Sequence, residues 1–494
     1  MSVTDQISIA DKLKDQALFR TESYIDGEWV GGATRFEVTN PADRSVIAAI
    51  PDVGEAGALR AVSAAHRAFQ TWKKVSPYQR AAILQRWHAL ILENADDLAA
   101  LITLEMGKTL REAKGEVLYG AAFIEWSAEE AKRIHGETLS PPFPGSRGWT
   151  LRQPIGVVGC ITPWNFPNAM ITRKCAPALA AGCTMVIKPA PETPLSALAL
   201  AELAERAGVP KGVFNVVCGD AEAIGGVLTG SPEVRMIGFT GSTAVGKLLM
   251  RQAADGVKRV ALELGGNAPF IVMDDADIEQ AADGVVASKF RVSGQTCVSA
   301  NRIIAMPSVA DRLIEALEAR VSALRTGDGF DSKTDLGPLI HDEAVDRVSA
   351  LVENARATGA RIIAGGEKRE DLGGAFYAPT LIEGGSTEMD LACFEIFGPV
   401  ASVYRAQSEE EIIRLANDTP YGLAAYVYTR DVNRVHRLSE ALDFGMVGVN
   451  APVVGSAATP FGGMKESGIG REGGKWGVEE FTELKYVLLG GVDQ

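Results

Sequence analysis

Cysteine is scarce, with six residues in a chain of 494: Cys160, Cys175, Cys183, Cys218, Cys297 and Cys393. They form no CxxC pair and no cysteine–histidine spacing, which argues against a disulfide framework and against a zinc or other metal site. In a chain this long they read as reduced thiols of a cytoplasmic protein. Long apolar runs are missing too. Ile155–Ile161 falls far short of the ~20 residues a membrane span needs, and Met1 to Arg20 is polar and mixed in charge, without the apolar core of a signal peptide. Basic residues are outnumbered 49 to 63, for a net charge of −14. That field repels nucleic acid and anionic membrane, so an anionic substrate would need locally placed arginines. There is no internal repeat, low-complexity tract or block of like charge to suggest an interaction tail.

What remains is an ordinary globular composition, 46% hydrophobic and 23% charged, in a chain long enough for two or more domains. Tyr24 to Val30 alternates around Asp26-Gly27 and predicts a hairpin. Residues 55–130 carry a helical Ala/Leu pattern, including Tyr78–Asn94 and Ala95–Met106, with Trp87 and Trp126 expected in the core. After the break at Pro141-Pro142-Phe143-Pro144-Gly145, the stretch 149–152 is either a surface hairpin or an arm whose strand edge pairs with another subunit. From Ile155 the pattern becomes strand, helix, strand, helix. Strands are expected at Ile155–Ile161, Thr184–Ile187, Val213–Val217 and Val234–Phe239, and helices at Asn168–Ala181, Pro194–Ala207 with Thr193 as N-cap, Glu222–Leu228 and Ser242–Ala253. Such alternation predicts an α/β fold with a parallel sheet covered on both faces and ligands at the carboxyl ends of its strands. A second α/β segment runs from about Glu263 to Asn450, and Glu483–Leu489 is strand-like, a candidate to pair with the 149–152 arm across a subunit boundary.

Five short stretches carry chemistry, each with a purely structural alternative when taken alone. Phe290 to Cys297 sets a thiol six positions after Arg291, a nucleophile beside a group that grips carboxylates or phosphates bidentately. Phe239-Thr240-Gly241-Ser242 turns a strand into a helix, and the free N–H groups there suit a diphosphate, although the spacing to Gly246 is neither G-x-G-x-x-G nor a Walker loop. Lys188 ends a strand ahead of Pro189-Ala190-Pro191 and reads either as a solvated lysine or as a ribose or phosphate ligand. Asn165, between Pro163 and Pro167, offers an amide donor suited to an oxyanion. Glu263 sits in Leu262-Glu263-Leu264-Gly265-Gly266, where burial would raise its pKa and fit it for general-base work.

Jointly, Pro163–Pro167, Lys188–Ala190, Phe239–Ser242, Glu263–Gly266, Gly294–Cys297, Glu395–Pro399 and Pro460–Gly463 resemble the aldehyde dehydrogenase superfamily along nearly the whole chain. The resemblance implies a Rossmann-like NAD(P)-binding domain (1–131 and 152–262), an α/β catalytic domain (263–447), a small β oligomerisation arm (132–151 and 475–494) and a return segment (448–474). It implies Cys297 as the nucleophile that passes through a thiohemiacetal and a thioester, Asn165 and the Cys297 N–H as the oxyanion hole, and Glu263 as the base that activates water. Relatives that pass the acyl group to coenzyme A do not need that base. Lys188 and Glu395 would bind the ribose hydroxyls, Trp164, Leu264 and Phe397 would line the cofactor pocket, and Gly241 and Ser242 would meet the diphosphate.

Within the superfamily the chain looks most similar to the succinate-semialdehyde dehydrogenases, through Met170–Lys174, Ser288–Arg291 and Leu484–Tyr486. That similarity implies a homodimer or homotetramer and an aldehyde substrate bearing a carboxylate held by Arg173 and Arg291. Succinate semialdehyde is the first choice; glutarate or 2-oxoglutarate semialdehyde, or a general aldehyde, is the nearest alternative. A non-catalytic nucleotide-binding scaffold is the alternative from another class. Three positions depart from the pattern. The family's carboxylate-binding serine falls on Gly455, with Ser456 next to it as the substitute grip. Ser299 stands where some relatives carry a second, redox-active cysteine, so no disulfide lock on Cys297 is expected. Pro191 replaces the glutamate that would repel a 2′-phosphate, so NADP is slightly favoured over NAD, with Glu192 next door weighing against it.

Overall fold

Between Ile155 and Ala254 the apolar runs are too short for helices and are closed by glycine or proline, so they pair as strands while the alanine-rich segments between them coil. The computed structural model describes residues 13–386 and 388–492, so the first part of the polar opening stretch lies outside them. Five parallel strands form the centre of an eight-stranded sheet, in the spatial order Phe214–Val216, Thr184–Lys188, Val157–Ile161, Val234–Thr240, Arg259–Glu263. The hairpin Ser23–Ile25 and Glu28–Val30 closes one edge, antiparallel, and Gly468–Ile469 closes the other.

Successive residues of these strands point to opposite faces. Val158, Met185, Val216 and Met236 join a core that includes Trp72, Trp87 and the helix Pro194–Ala207. Val157, Val186 and Ile237, with Val217 just past its strand, join a second core with the helices Gly54–Trp72 and Ala221–Gly230. The sheet is therefore buried on both sides, which is why its strands read as continuous apolar runs. From Val157–Ile161 the strand order runs one way through Thr184–Lys188 and the other through Val234–Thr240. In open parallel sheets ligands bind outside the strand ends at such a switch point.

The helices match their patterns closely, with Pro77–Glu93, Ala95–Met106 and Ala169–Ala181 among them. Trp87 is buried as expected, while Trp126 is half-buried. One cap differs. Thr193 precedes the helix Pro194–Ala207 without a side-chain bond to it. The buried Glu105 takes over instead, accepting from Leu195 N–H (2.8 Å) and Ser196 N–H (2.9 Å), since a carboxylate satisfies two orphan donors where a hydroxyl serves one.

The second sheet has seven strands, with Thr380–Glu383, Val400–Arg405, Ala300–Ala305, Ala268–Val272, Ala424–Tyr428 and Met446–Val449 parallel and Arg361–Ala364 antiparallel at the edge. Its residues also alternate between two cores, Phe270 and Ile303 to one and Ile271 and Ile304 to the other. A third, three-stranded sheet corrects an expectation. Glu483–Leu489 does not need another subunit to pair with 149–152: Thr482–Leu489 lies antiparallel to Arg147–Pro154 within the same chain, from Thr482 opposite Pro154 to Leu489 opposite Arg147. The short helix Gly474–Glu479 carries the chain back, and Ile155 N–H donating to the Phe481 carbonyl (3.1 Å) starts the pairing. Leu139, Leu151, Leu484, Tyr486 and Leu488 remain exposed on this sheet. Among the described residues no helix is long and apolar enough to cross a membrane.

Candidate active site

The helix Ile278–Lys289 ends in a turn whose shape is unusual for its residues. Val292 and Ser293 adopt φ of 53° and 54°, left-handed values that a β-branched side chain strongly resists. Such strain, about 1–3 kcal/mol per residue, persists only where surrounding bonds over-determine it. Here Glu112 accepts the Val292 N–H (2.7 Å) and Ser293 Oγ–H donates to the Gly337 carbonyl (2.7 Å). The Gln295 side chain accepts from Ile340 N–H (3.0 Å) while donating to the carbonyls of Val292 and Pro338. The tight reversal brings Arg291 and Cys297 to one cavity of ≈ 280 Å³, with Arg173, Tyr119, Phe166 and Phe461 on its other walls.

Cys297 is half-buried, its surface opening on that cavity, and burial first, then the carboxylate of Glu395, push the thiol up to about 12. Cys160, Cys175, Cys183 and Cys218 are fully buried in the sheet cores, away from the cavity. Asn165 approaches the nucleophile loop from behind. Its Nδ2 donates to the Gln295 carbonyl (3.0 Å), and its Oδ1 is buried with no partner. A buried ion pair steadies its backbone: Lys108 Nζ donates to the Asn165 carbonyl and to Glu116 (both 2.6 Å), and Glu116 accepts Asn168 N–H (2.8 Å) and Ala169 N–H (3.1 Å). Glu263 ends the strand Arg259–Glu263, buried, with Oε2 unpartnered. Burial first, then repulsion from Glu472, raises its pKa well above the carboxylate range, opposed by Lys174, Arg173 and Arg471. Asn165 thus bonds the nucleophile loop, and Glu263, though neither it nor Asn165 is among the cavity-lining residues, lies near enough to act on the Cys297 thiol through its charge. Thiol, amide and carboxylate together can add sulfur to a carbonyl, hold the resulting oxyanion and take a proton from water.

A second group of residues sits at or just beyond the carboxyl ends of the first sheet's parallel strands, joined by Glu395 and Phe397 from the loop before Val400–Arg405. Trp164 and Phe397 face each other edge to face at 5.5 Å, Phe397 with a left-handed φ of 51°. Glu395 accepts Gly266 N–H (2.9 Å), and burial lifts it to about 7. Gly246 leaves the space that Leu264 fills, since a Cβ there would overlap the Leu264 side chain. Gly241 and Ser242 precede the helix Thr243–Ala254, with Ser242 capping it through Val245 N–H (3.4 Å). Lys188 is buried with its Nζ on the Pro189 carbonyl alone (3.2 Å); burial lowers its pKa, and Cys218, Glu192, Asp220 and Asp52 oppose the shift. Pro191 and Glu192 border a neighbouring cavity of ≈ 570 Å³ shared with Phe36, Asp52, Asp220 and Ile340. A buried ammonium short of acceptors and a helix N-terminus at neighbouring strand ends fit the ribose and phosphates of a dinucleotide.

The model of the aldehyde dehydrogenase family matches residues 29–487. The chain belongs to the aldehyde dehydrogenase family. It is 53% identical to the 3-sulfolactaldehyde dehydrogenase of Pseudomonas putida, over 98% of this chain and 100% of the relative. It is 51% identical to the NADP(+) succinate-semialdehyde dehydrogenase of Escherichia coli, over 97% and 100%. The crystal structure of the succinate-semialdehyde dehydrogenase of Burkholderia pseudomallei superposes with a TM-score of 0.96 at 51% identity, covering 97% of this chain and 99% of that one. The α/β architecture is therefore the aldehyde dehydrogenase fold, and the protein is an NAD(P)-dependent aldehyde dehydrogenase.

Two expected substrate contacts differ in this aldehyde dehydrogenase. Ser456 is exposed, lies outside the cavity lining and bonds Thr459 (3.0 Å), because the turn at 456–459 satisfies its hydroxyl locally. Arg173 lines the cavity, but its charge is already engaged by Glu472 at 2.5 Å, which also pairs with Lys174 at 2.5 Å. Glu472, Lys108 and Glu116 were not singled out in the sequence. The spacing of Glu472 from Arg173 carries no signal of contact, whereas Lys108 and Glu116, eight positions apart and flanking one helix start, could have been paired.

Proposed function

We propose that this aldehyde dehydrogenase oxidises a short aldehyde with a distal anionic head, succinate semialdehyde first, to the corresponding acid. One observation carries the reading. Arg291 lines the cavity on to which Cys297 opens, and among the described residues its guanidinium has no carboxylate within ion-pair distance. The guanidinium rests 5.3 Å from the centre of the Phe166 ring, and a cation that no carboxylate pairs favours an anion over a neutral chain.

Cys297, having lost its thiol proton to water, adds as the thiolate to the aldehyde carbon, and the oxygen that becomes negative is held by the Asn165 amide and the Cys297 N–H. Bound NAD(P)+ supplies the acceptor for the hydride this carbon loses. Cys297 then carries the acyl group as a thioester. Glu263 takes a proton from the attacking water, the carbonyl re-forms, and the thiolate leaves with the acid released. Glu395, Trp164, Leu264 and Phe397 would flank the nicotinamide end, and Lys188, Gly241 and Ser242 the ribose and diphosphate. NADP+ is slightly favoured: Pro191 brings no charge near Lys188, and the E. coli relative is named for NADP(+). Glu192, Asp220 and Asp52, which act on the same lysine, keep NAD+ in use. A kcat/KM at least tenfold better with NAD+ would reverse that preference.

The eight-stranded sheet supports 1–131 with 152–262 as the cofactor unit, the seven-stranded sheet supports 263–447 as the catalytic unit, and 448–474 returns the chain. The exposed apolar residues of the third sheet support a homodimer or homotetramer built through 132–151 and 475–494. Buried free thiols at Cys160, Cys175, Cys183 and Cys218 support a cytoplasmic location. A sulfonate head is the second reading, favoured by the P. putida relative's name and by Gly455, which lines the cavity without contributing a side chain of its own.

The test compares kcat/KM for succinate semialdehyde and for butanal in the wild type and in Arg291→Ala. The charged aldehyde should lose about 10- to 100-fold, the worth of a hydrogen bond to a charged group, while butanal stays within about twofold. Equal losses on both substrates would remove the anion grip from the mechanism.

A further inference from the structure

We infer that Ser288 and Tyr119, with Arg291, complete the grip on the substrate's distal oxyanion. This rests on the reading of the cavity as a site for an anion-headed aldehyde and names two further residues that would recognise the head.

Ser288 sits in the last turn of the helix Ile278–Lys289, three positions before Arg291, and both line the cavity. It is only 6% exposed, and its hydroxyl has no hydrogen-bond partner. The neighbouring Tyr426 hydroxyl gives its proton to the Val298 carbonyl (2.8 Å); the Ser288 hydroxyl lies close enough to act on it but outside bonding geometry, so it is free to turn to an acceptor in the cavity. An unsatisfied buried hydroxyl costs about 1–3 kcal/mol, a cost removed when a ligand brings an acceptor.

Tyr119 reaches the same cavity from the helix Leu110–Ala131 on another wall. Its hydroxyl oxygen lies 3.0 Å from where a Cβ on Gly455 would stand. The loop at 455 therefore offers no side-chain donor, and the tyrosine hydroxyl occupies the adjoining space. Ser456 cannot stand in, being turned to Thr459. The carboxylates that also line the cavity are engaged elsewhere: Glu112 by Val292 N–H and the Thr109 hydroxyl, Glu116 by Lys108 and two backbone N–H groups. Arg291 supplies the charge, and two hydroxyls from separate elements supply direction, an arrangement suited to an anion with two or more oxygens.

The experiment measures KM and kcat for succinate semialdehyde and butanal in Ser288→Ala and Tyr119→Phe, with thermal unfolding as a control on the fold. Each variant should raise KM for succinate semialdehyde roughly tenfold and leave kcat/KM for butanal within about twofold. Unchanged kinetics in both, or equal losses on the two aldehydes, would overturn the assignment. If Tyr119→Phe unfolds, the Ser288→Ala result decides. Discrimination in Arg291→Ala without discrimination in either hydroxyl variant sinks this inference alone. Its absence in Arg291→Ala sinks the anion-headed substrate itself.

Discussion

Lys108 and Glu116 form an ion pair at 2.6 Å with both side chains at 0% exposure, and together they hold the loop that carries Asn165. Phe166 of that loop closes over the ammonium, 4.0 Å from its ring centre. Lys108→Met would leave the Glu116 carboxylate buried without a counter-charge, a loss of about 3–5 kcal/mol. In Lys108→Met/Glu116→Gln both charges disappear, and the glutamine carbonyl can still accept from Asn168 or Ala169. The double variant should therefore be more stable than Lys108→Met, with a coupling of at least about 2 kcal/mol. Its kcat should still fall about 10- to 100-fold, because the Asn165 carbonyl has lost its donor and a small displacement of the amide misplaces it against the oxyanion. Denaturant midpoints of the wild type, both single variants and the double variant, multiplied by their common slope, give the coupling, and steady-state kinetics give kcat. Losses that add to within about 0.5 kcal/mol, or a double variant with full kcat, would refute the clamp.

Raised pKa values at Glu263 and Cys297 have one sign for activity: both groups work deprotonated, so kcat/KM should climb from about pH 6 to about pH 9. A profile falling over that range would contradict the assignment. Because Glu472 repels Glu263, Glu472→Gln should move the Glu263 limb to lower pH, and an alkaline shift would show that the coupling is wrong. A Cβ on residue 266 would overlap the carbonyl oxygen of Cys297, backbone that cannot step aside. Gly266→Ala should therefore lose aldehyde oxidation by at least about tenfold while the chain still folds, and a variant with wild-type kcat would mean the nucleophile loop is not pinned there.

Much of the cofactor unit could be read locally. A strand such as Val157–Ile161, apolar on every residue, must be covered on both faces, and the Ala/Leu helices between strands supply the cover. Cys297 and Asn165 stood out because each sits in a short turn beyond an element's end, and Glu263 and Lys188 because each puts an ionisable group at the last position of a strand, after an apolar run. Thr193 misled because a cap depends on competing donors and acceptors brought from elsewhere, here Glu105.

What the linear order determined by itself was therefore the run of strands and helices, the family and the reactive turns, all of which depend on residues a few positions apart. Folding in space decided which charges are spent and which remain. Glu472 neutralises Arg173 from far along the chain, Thr482–Leu489 pairs with Arg147–Pro154 in its own subunit, and Arg291 keeps an unshared charge in the cavity. These outcomes turn on which surfaces meet, and burial makes each meeting count, because a charge or hydroxyl cut off from water takes its chemistry from the neighbours that packing brings to it.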